Sequence, residues 1–339
     1  MNLQQVAKRA GVSTATVSRV LNNQELVRGK TRERVLQAIE ELKYHPNVHA
    51  RSLAGGKSRT VGVILSNFEN PFFFDVYKTV ETYARGRGYD VVVANTDYKP
   101  DRLATCVRAM LGRRLAGLAL IVSETAQDVI EELQQHAPMP VVLYDAGKTG
   151  GNLLSIRVNY RRGIEKVVDY LYGIGHRKFG FVGHHGALSP LSDRHDALMR
   201  AVAAREGKSS GKGTEAYAAT DADSLEGGRF AARQLLVAGH QPTAIVCAND
   251  LMAVGVLREL RDRGLRVPRD ISVTGFDNIK LSEFCYPALT TAHVPREQIG
   301  QIVCRGLIPR EDEAPIEHDV LIDPELVLRD STGPASARG

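Results

Sequence analysis

Leu3, Val6, Ala7 and Ala10 lie three and four residues apart, the period of a helix with one buried face. Gly11 breaks that pattern, and Ser13 stands where an N-cap would open a second helix. The second helix turns Val17, Val20 and Leu21 inward, so Thr14, Ala15, Thr16, Ser18 and Arg19 include the residues free to face outward. A third helix is expected from about Thr31, with Val35, Leu36, Ile39 and Leu42 as its apolar stripe. After Thr60 the period changes. Short β-rich runs, VGVIL at 61–65, VVVAN at 91–95, LALIV at 118–122 and VVLYD at 141–145, alternate with helical stretches, the pattern of a parallel α/β sheet. A second series follows Asn159, with FGFVG at 179–183, AIVCA at 244–248 and ISVTGFD at 271–277, separated by helical segments such as 224–238 and 250–263. Two similar lobes are implied. The loops at the carboxyl ends of parallel strands are where such sheets take ligands, which favours Ser66–Phe73, Asp145, Asn249–Asp250 and Asp277.

Between the helical head and the lobes, Pro46 ends one element, Asn47 can cap the next, and Gly55-Gly56 terminate a helix of barely two turns. So short a helix is marginal alone in water. Leu53 has no obvious core to join, and is either a contact with the following domain or a wedge. His45 and His49 are four apart, but Pro46 between them and the lack of carboxylate or cysteine neighbours argue against a metal pair.

Charge sharpens the division. Residues 1–59 hold eleven Lys and Arg against four Glu, a net +7, so the remainder of a chain with total charge +5 carries −2. A basic helical head on a mildly acidic body points to a polyanion as partner of the head alone. At 339 residues, two or three folding units are expected, and no apolar stretch approaches the roughly 18–20 residues that span a bilayer. The amino terminus does not read as an export signal, so a cytoplasmic, nucleoid-associated protein is expected, with no membrane partner. The four cysteines form no CxxC pair, REGKSSGKG at 205–213 lacks phosphate-loop spacing, and no activated nucleophile is evident. No catalytic residue, metal site or cofactor is expected.

The segments VAKRAGVSTATVSRVLN at 6–22 and YHPNVHARSLAGGKS at 44–58 resemble the LacI/GalR (lactose-repressor) family of transcription regulators. ENPFF at 69–73, ANDLMAVGVLRELRDRGLRVPRDISVTGFDN at 248–278 and PALTT at 287–291 resemble its effector domain. The resemblance implies an all-α helix-turn-helix DNA-binding domain joined to an α/β two-lobed, periplasmic-binding-protein-like domain. It makes Thr14, Ala15 and Arg19 base-reading side chains, and Ser13, Thr16 and Ser18 phosphate contacts. Asn47, Ala50 and Leu53 become a minor-groove hinge, with Leu53 inserted at the central base step. Asp145, Arg194, Asn249 and Asp277 fall at effector-contacting positions, with Phe72 or Phe73 as an aromatic wall. Carboxylates, an amide and an arginine can divide donors and acceptors among several hydroxyls, so a sugar or sugar derivative is the expected effector. Asn249–Asp250 reads almost as well as a strand-end cap. One departure is Ala197-Leu198, where the family often has a Gly-aromatic pair.

The resulting expectation is a DNA-binding domain at 1–46, a hinge and linker at 47–59, and an effector-binding and dimerisation domain at 60–331. Its lobe one would comprise 60–158 and 291–320, lobe two 159–290 and 321–331, and a flexible tail 332–339. The partners expected are a pseudo-palindromic double-stranded operator, a small-molecule effector and a second copy of the chain, with helices such as 73–87 among the contact surfaces. A soluble solute-binding protein and an α/β enzyme are the competing functions.

Overall fold

A computed structural model of the chain describes residues 2–22, 27–44, 58–147, 153–184, 190–205, 214–310, 312–314 and 316–336. It divides into two compact units, 1–58 and 59–339.

The first unit holds α1 (Leu3–Ala10), α2 (Thr14–Asn22) and α3 (Gly29–Glu41). Asn2 opens α1 with a capping box: its side chain accepts from the Gln5 amide at 3.1 Å, and its own amide donates to Gln5 Oε1 at 2.9 Å. Gly11 closes α1 at φ 61°, a left-handed turn that glycine adopts without strain. Val6, Ala7, Ala10, Val17, Val20, Val35 and Ala38 form the core, and Arg34 Nη2 reaches across to the Ala10 carbonyl at 2.5 Å. α3 begins two residues before Thr31. Leu36 is not part of its buried stripe: it is 40% exposed, about 100° round the helix from Val35, while Ala38 takes the core position. The hinge candidates Asn47, Ala50 and Leu53 lie outside the described residues.

The second unit contains two six-stranded sheets. The first has order β11-β5-β4-β3-β1-β2, from β1 (Thr60–Leu65), β2 (Asp90–Asn95), β3 (Gly117–Ile121), β4 (Val141–Tyr144), β5 (Leu153–Val158) and β11 (Asp319–Ile322), all parallel. The second has order β12-β10-β9-β8-β6-β7, from β6 (Lys178–His184), β7 (Glu215–Asp221), β8 (Ala244–Cys247), β9 (Ser272–Asp277), β10 (Thr290–His293) and the antiparallel β12 (Glu325–Val327). β1, β3 and β4 read as unbroken apolar runs because helices cover both faces. On lobe one these are α4 (Pro71–Gly86), α5 (Pro100–Leu111), α6 (Gln127–His136) and α12 (Arg296–Leu307), with α12 packed on α4. Lobe two carries α7 (Tyr160–Gly173), α8 (Pro190–Ala203), α9 (Leu225–Val237), α10 (Asp250–Asp262) and the short α11 (Lys280–Phe284). α9 and α10 cross closely enough that a Cβ on Gly255 would sit 2.0 Å from the Leu225 carbonyl oxygen.

The chain passes between lobes three times, and two passages differ from expectation. Residues 291–293 stay in the second sheet, because β10 pairs with β9 through His293 and Asp277. Residues 321–322 stay in the first, because β11 keeps register with β5 through Ile322 and Val158. The expected flexible tail at 332–339 is also corrected through Ala335. Thr332 Oγ1 lies 2.9 Å from Thr290 Oγ1, the Gly333 amide donates to Ser272 Oγ at 3.1 Å, and the Ala335 amide donates to the Ile174 carbonyl at 3.1 Å. Among the described residues, no helix is long and apolar enough to cross a membrane.

Candidate DNA interface and effector cleft

In the first unit, Thr14, Ala15 and Arg19 all lie exposed on α2, opposite the buried Val17 and Val20. Ser13 Oγ accepts from the Thr16 amide at 3.2 Å and lies 3.0 Å from Thr16 Oγ1, so these two phosphate-contact candidates also cap the helix. Ser18 is half-buried. The outward face is thus short-chained except for Arg19, which permits close approach to a duplex.

In the second unit, the carboxyl ends of the strands carry unusual backbone. Six non-glycine residues have positive φ among the described residues, and five of them, Asp97, Tyr98, Asp145, Asp277 and Asn278, follow or end β2, β4 and β9. Such conformations concentrate where side chains are held for function. Asn70 caps α4, its Oδ1 accepting from the Phe72 amide at 3.0 Å. This fixes Phe72 and Phe73 in the first turn, edge-on to each other at 5.4 Å. Phe72 packs on Tyr144 and Phe73 on Tyr98, with ring centroids 5.8 and 6.2 Å apart. Both phenylalanines are buried.

Asp145 Oδ1 accepts from the Val158 amide at 3.0 Å and Oδ2 from the Tyr160 hydroxyl, which lies 3.2 Å from Tyr144 Oη. Burial pushes the Asp145 carboxyl up to about 6, against the pull of the Tyr160 and Val158 donors and of Arg194. The Arg194 guanidinium lies 3.9 Å over the Tyr160 ring and 5.0 Å from that of Phe276. Asp277 is held well above the usual carboxylate range, chiefly by burial; Arg194 opposes this, and Asp250 and Asp223 add to it. Asn249 caps α10, accepting from the Met252 amide at 2.9 Å, yet its Nδ2 also donates to Asp223 Oδ1 at 2.6 Å. The strand-end cap is thus present, and the Asn249 side-chain amide is also tied to Asp223. Asp250 turns away from this network: its two oxygens accept from Thr291 Oγ1 at 2.5 Å and from the Ile279 amide at 2.8 Å.

Several contributors escape motif reading. Asp223, after β7, accepts from the lobe-two Asn249 and also from the lobe-one Asn70, at 3.4 Å, and the Tyr98 hydroxyl, so it spans the cleft. Glu124, after β3, accepts from Ser66 Oγ at 2.6 Å, from the Thr96 hydroxyl and from the Ser123 amide at 3.1 Å. His184 faces Tyr98 at 5.5 Å. Asp223, Glu124 and Tyr98 all follow strand ends, the same positional signal that singles out Asp145 and Asp277. Ala197 and Leu198 are buried. A cavity of about 320 Å³ opens beside Tyr160, lined also by Arg157, Asn159, Asp193, Asp196 and Arg200, but it includes none of Asp145, Asp223 or Asp277. Among the described residues no group of His, Cys, Asp or Glu is placed to hold a metal ion.

The architecture has close counterparts. Residues 2–47 match the bacterial regulatory proteins of the lacI family, and residues 168–332 match the periplasmic binding protein-like domain. The HTH-type transcriptional repressor PurR of Vibrio atlanticus is 32% identical over 335 residues, covering 96% of this chain and 97% of that one. PurR of Photobacterium profundum is 33% identical over 331 residues, 97% of this chain and 98% of that one. The lac repressor dimer bound to operator and the anti-inducer ONPF aligns with a TM-score of 0.82 at 29% identity, over 98% of this chain and 99% of that one. The CelR–cellobiose complex aligns at 0.67 and 26%, with the same coverage. A polar-faced second helix in a three-helix head, two parallel-sheet lobes with a charged cleft and full-length likeness to repressors agree: the chain belongs to the LacI family of DNA-binding transcriptional repressors, not to the enzymes.

Proposed function

We propose that this repressor binds a sugar or sugar derivative between its lobes and that occupancy sets its affinity for a palindromic operator. The observation that carries the reading is the continuous network across the cleft, in which Asp223 links Asn70 and Tyr98 of lobe one to Asn249 of lobe two. Asp145, Arg194 and Asp277 supply further donors and acceptors, and Phe72 and Phe73 an apolar wall. Likeness to the CelR–cellobiose complex favours a carbohydrate. A purine base or nucleoside is the second reading, favoured by the aromatic lining of Phe72, Phe73 and Tyr98. Closure couples to DNA only if the ligand prefers one lobe arrangement over another.

On the DNA side, Thr14, Ala15 and Arg19 read bases, Ser13, Thr16 and Ser18 hold phosphates, and the hinge residues Asn47, Ala50 and Leu53 enter the minor groove. The protein acts as a homodimer, with α4, which leaves Phe74 and Tyr83 exposed, as one contact surface. The test is calorimetric titration of the full chain with cellobiose, common monosaccharides, purine bases and nucleosides, followed by operator selection from sheared genomic DNA with and without the ligand that binds. Saccharide binding that alters recovery of a palindrome supports the reading. Binding of a purine alone selects the second, and turnover of a bound ligand would overturn both.

A further inference from the structure

The cleft network contains four carboxylates, Glu124, Asp145, Asp223 and Asp277, all buried or nearly so. They form one electrostatic group: Tyr98 feels the charges of Asp223 and Glu124, and Asp277 those of Arg194 and Asp223. Against these four the described residues set Arg194, whose field is already shared by Asp145 and Asp277, and Arg296, which also pulls on Asp277. The neighbouring cations already have partners. Arg296 donates to Asp75 at 3.0 Å and to the Asp277 carbonyl at 2.5 Å, Arg329 to Asn278 Oδ1 at 2.8 Å, and Lys99 to Asp97 at 2.8 Å. Lys148 and residues 185–189 lie outside the described residues.

We infer that the molecule held between the lobes is uncharged or cationic and rich in hydrogen-bond donors, and that its phosphorylated or acidic analogues are rejected. This rests on the effector reading above and narrows it. Carboxyl and carboxylate oxygens accept hydrogen bonds, so hydroxyl, amine and ring N–H groups find acceptors in this network. A phosphate or carboxylate would instead meet like charge where water is largely excluded and screening is weak. The burial that raises the Asp145 and Asp277 carboxyls penalises a ligand's negative charge in the same place.

The experiment uses the full chain and a small-molecule extract of bacteria grown on mixed carbon sources, split on an anion-exchange resin at neutral pH. Each fraction is assayed for its effect on the melting temperature, beside the matched pairs cellobiose and cellobionate, glucose and glucose 6-phosphate, and adenosine and AMP. The unretained fraction is expected to stabilise the protein, and any pair that binds to favour its neutral member by about tenfold or more. The stabilisation should be lost in Asp277→Asn or, where that chain does not fold, in Asp223→Asn. Stabilisation by the retained fraction overturns the inference while leaving an effector in place. Stabilisation that survives both variants places the ligand elsewhere and also overturns it. If neither fraction acts, the effector reading and this inference fall together.

Discussion

At the scale of single residues, Asp250 shows how burial and hydrogen bonding oppose each other in one carboxyl group. It is fully buried, and burial pushes it up to about 7 although Thr291, the Ile279 amide, Arg296 and Arg329 all pull it down. The folded state therefore holds its proton more tightly than the unfolded chain. Ionisation costs stability as pH rises from about 4 to about 7 and adds no dependence above that. Chemical denaturation of wild type and Asp250→Asn across this range should show their stability difference moving in the variant's favour as pH rises, and an unchanged difference would refute the assignment. Arg19 belongs to the other unit and another test. Arg19→Ala should cost roughly 1–3 kcal/mol at one base position and relax preference there, whereas loss of a phosphate contact weakens all sequences alike. Competition binding with single-base operator variants distinguishes the two. Sequence reading reaches Asp145, Arg194, Asn249 and Asp277, which the fold gathers into one network. It passes over Asp223, Glu124 and Tyr98 because each lies in a connection with no distinctive motif, and which strand ends converge is a property of strand order.

At the scale of elements, α9 and α10 are clamped by a charged cluster as well as by close packing at Gly255. Glu259 is nearly buried and accepts from Arg229 at 3.0 Å, Arg233 at 3.0 and 3.1 Å and Arg263 at 2.9 Å. The Arg233 hydrogen bonds above all hold its carboxyl down at about 2, with burial opposing them. The arginines are substantially exposed, which weakens each pair by screening. Glu259→Gln should lose about 1–2 kcal/mol of stability. A depressed carboxyl stabilises fully above its unfolded value of 4.5 and stops doing so as pH falls toward about 2, so the deficit should shrink over that window in a pH series of melts. The apolar runs that became β1, β3, β4, β6, β8 and β9 are plain in the sequence, being buried on both faces. β7, with the sequence EAYAATD, is an edge strand of mixed exposure, and β10, β11 and β12 are short. Little marks them until the sheet that recruits them exists. Leu36 errs the other way: its apolar side chain fits the helical period, but the three-helix core is too small to reach it.

At the scale of the whole second unit, the lobes are joined by covalent passages, by the Tyr160–Asp145 and Arg296–Asp277 hydrogen bonds and by the Asp223 clasp. Asp223→Ala leaves Asn70, Tyr98 and Asn249 each without an acceptor, at a cost of about 1–3 kcal/mol. The ligand-free cleft should then open, seen as a larger radius of gyration in small-angle scattering with unchanged circular dichroism. An unaltered scattering curve would show that the clasp does not hold the lobes. The two-lobe plan is legible from the alternating runs, but the crossing points are not, since they depend on where β10 and β11 stop pairing.

Those crossings also dictate an order of manufacture. β5 is completed at Val158, yet its outer neighbour β11 comes only at 319–322, and α12, which covers α4, at 296–307. While the chain emerges from the ribosome, lobe one must wait through the synthesis of nearly all of lobe two with an open strand edge and an uncovered helix face. Lobe two in turn lacks β12 until residues 325–327 are made. Neither lobe can be cut out as a continuous segment, and a nascent chain stalled before residue 322 is a natural client for chaperones.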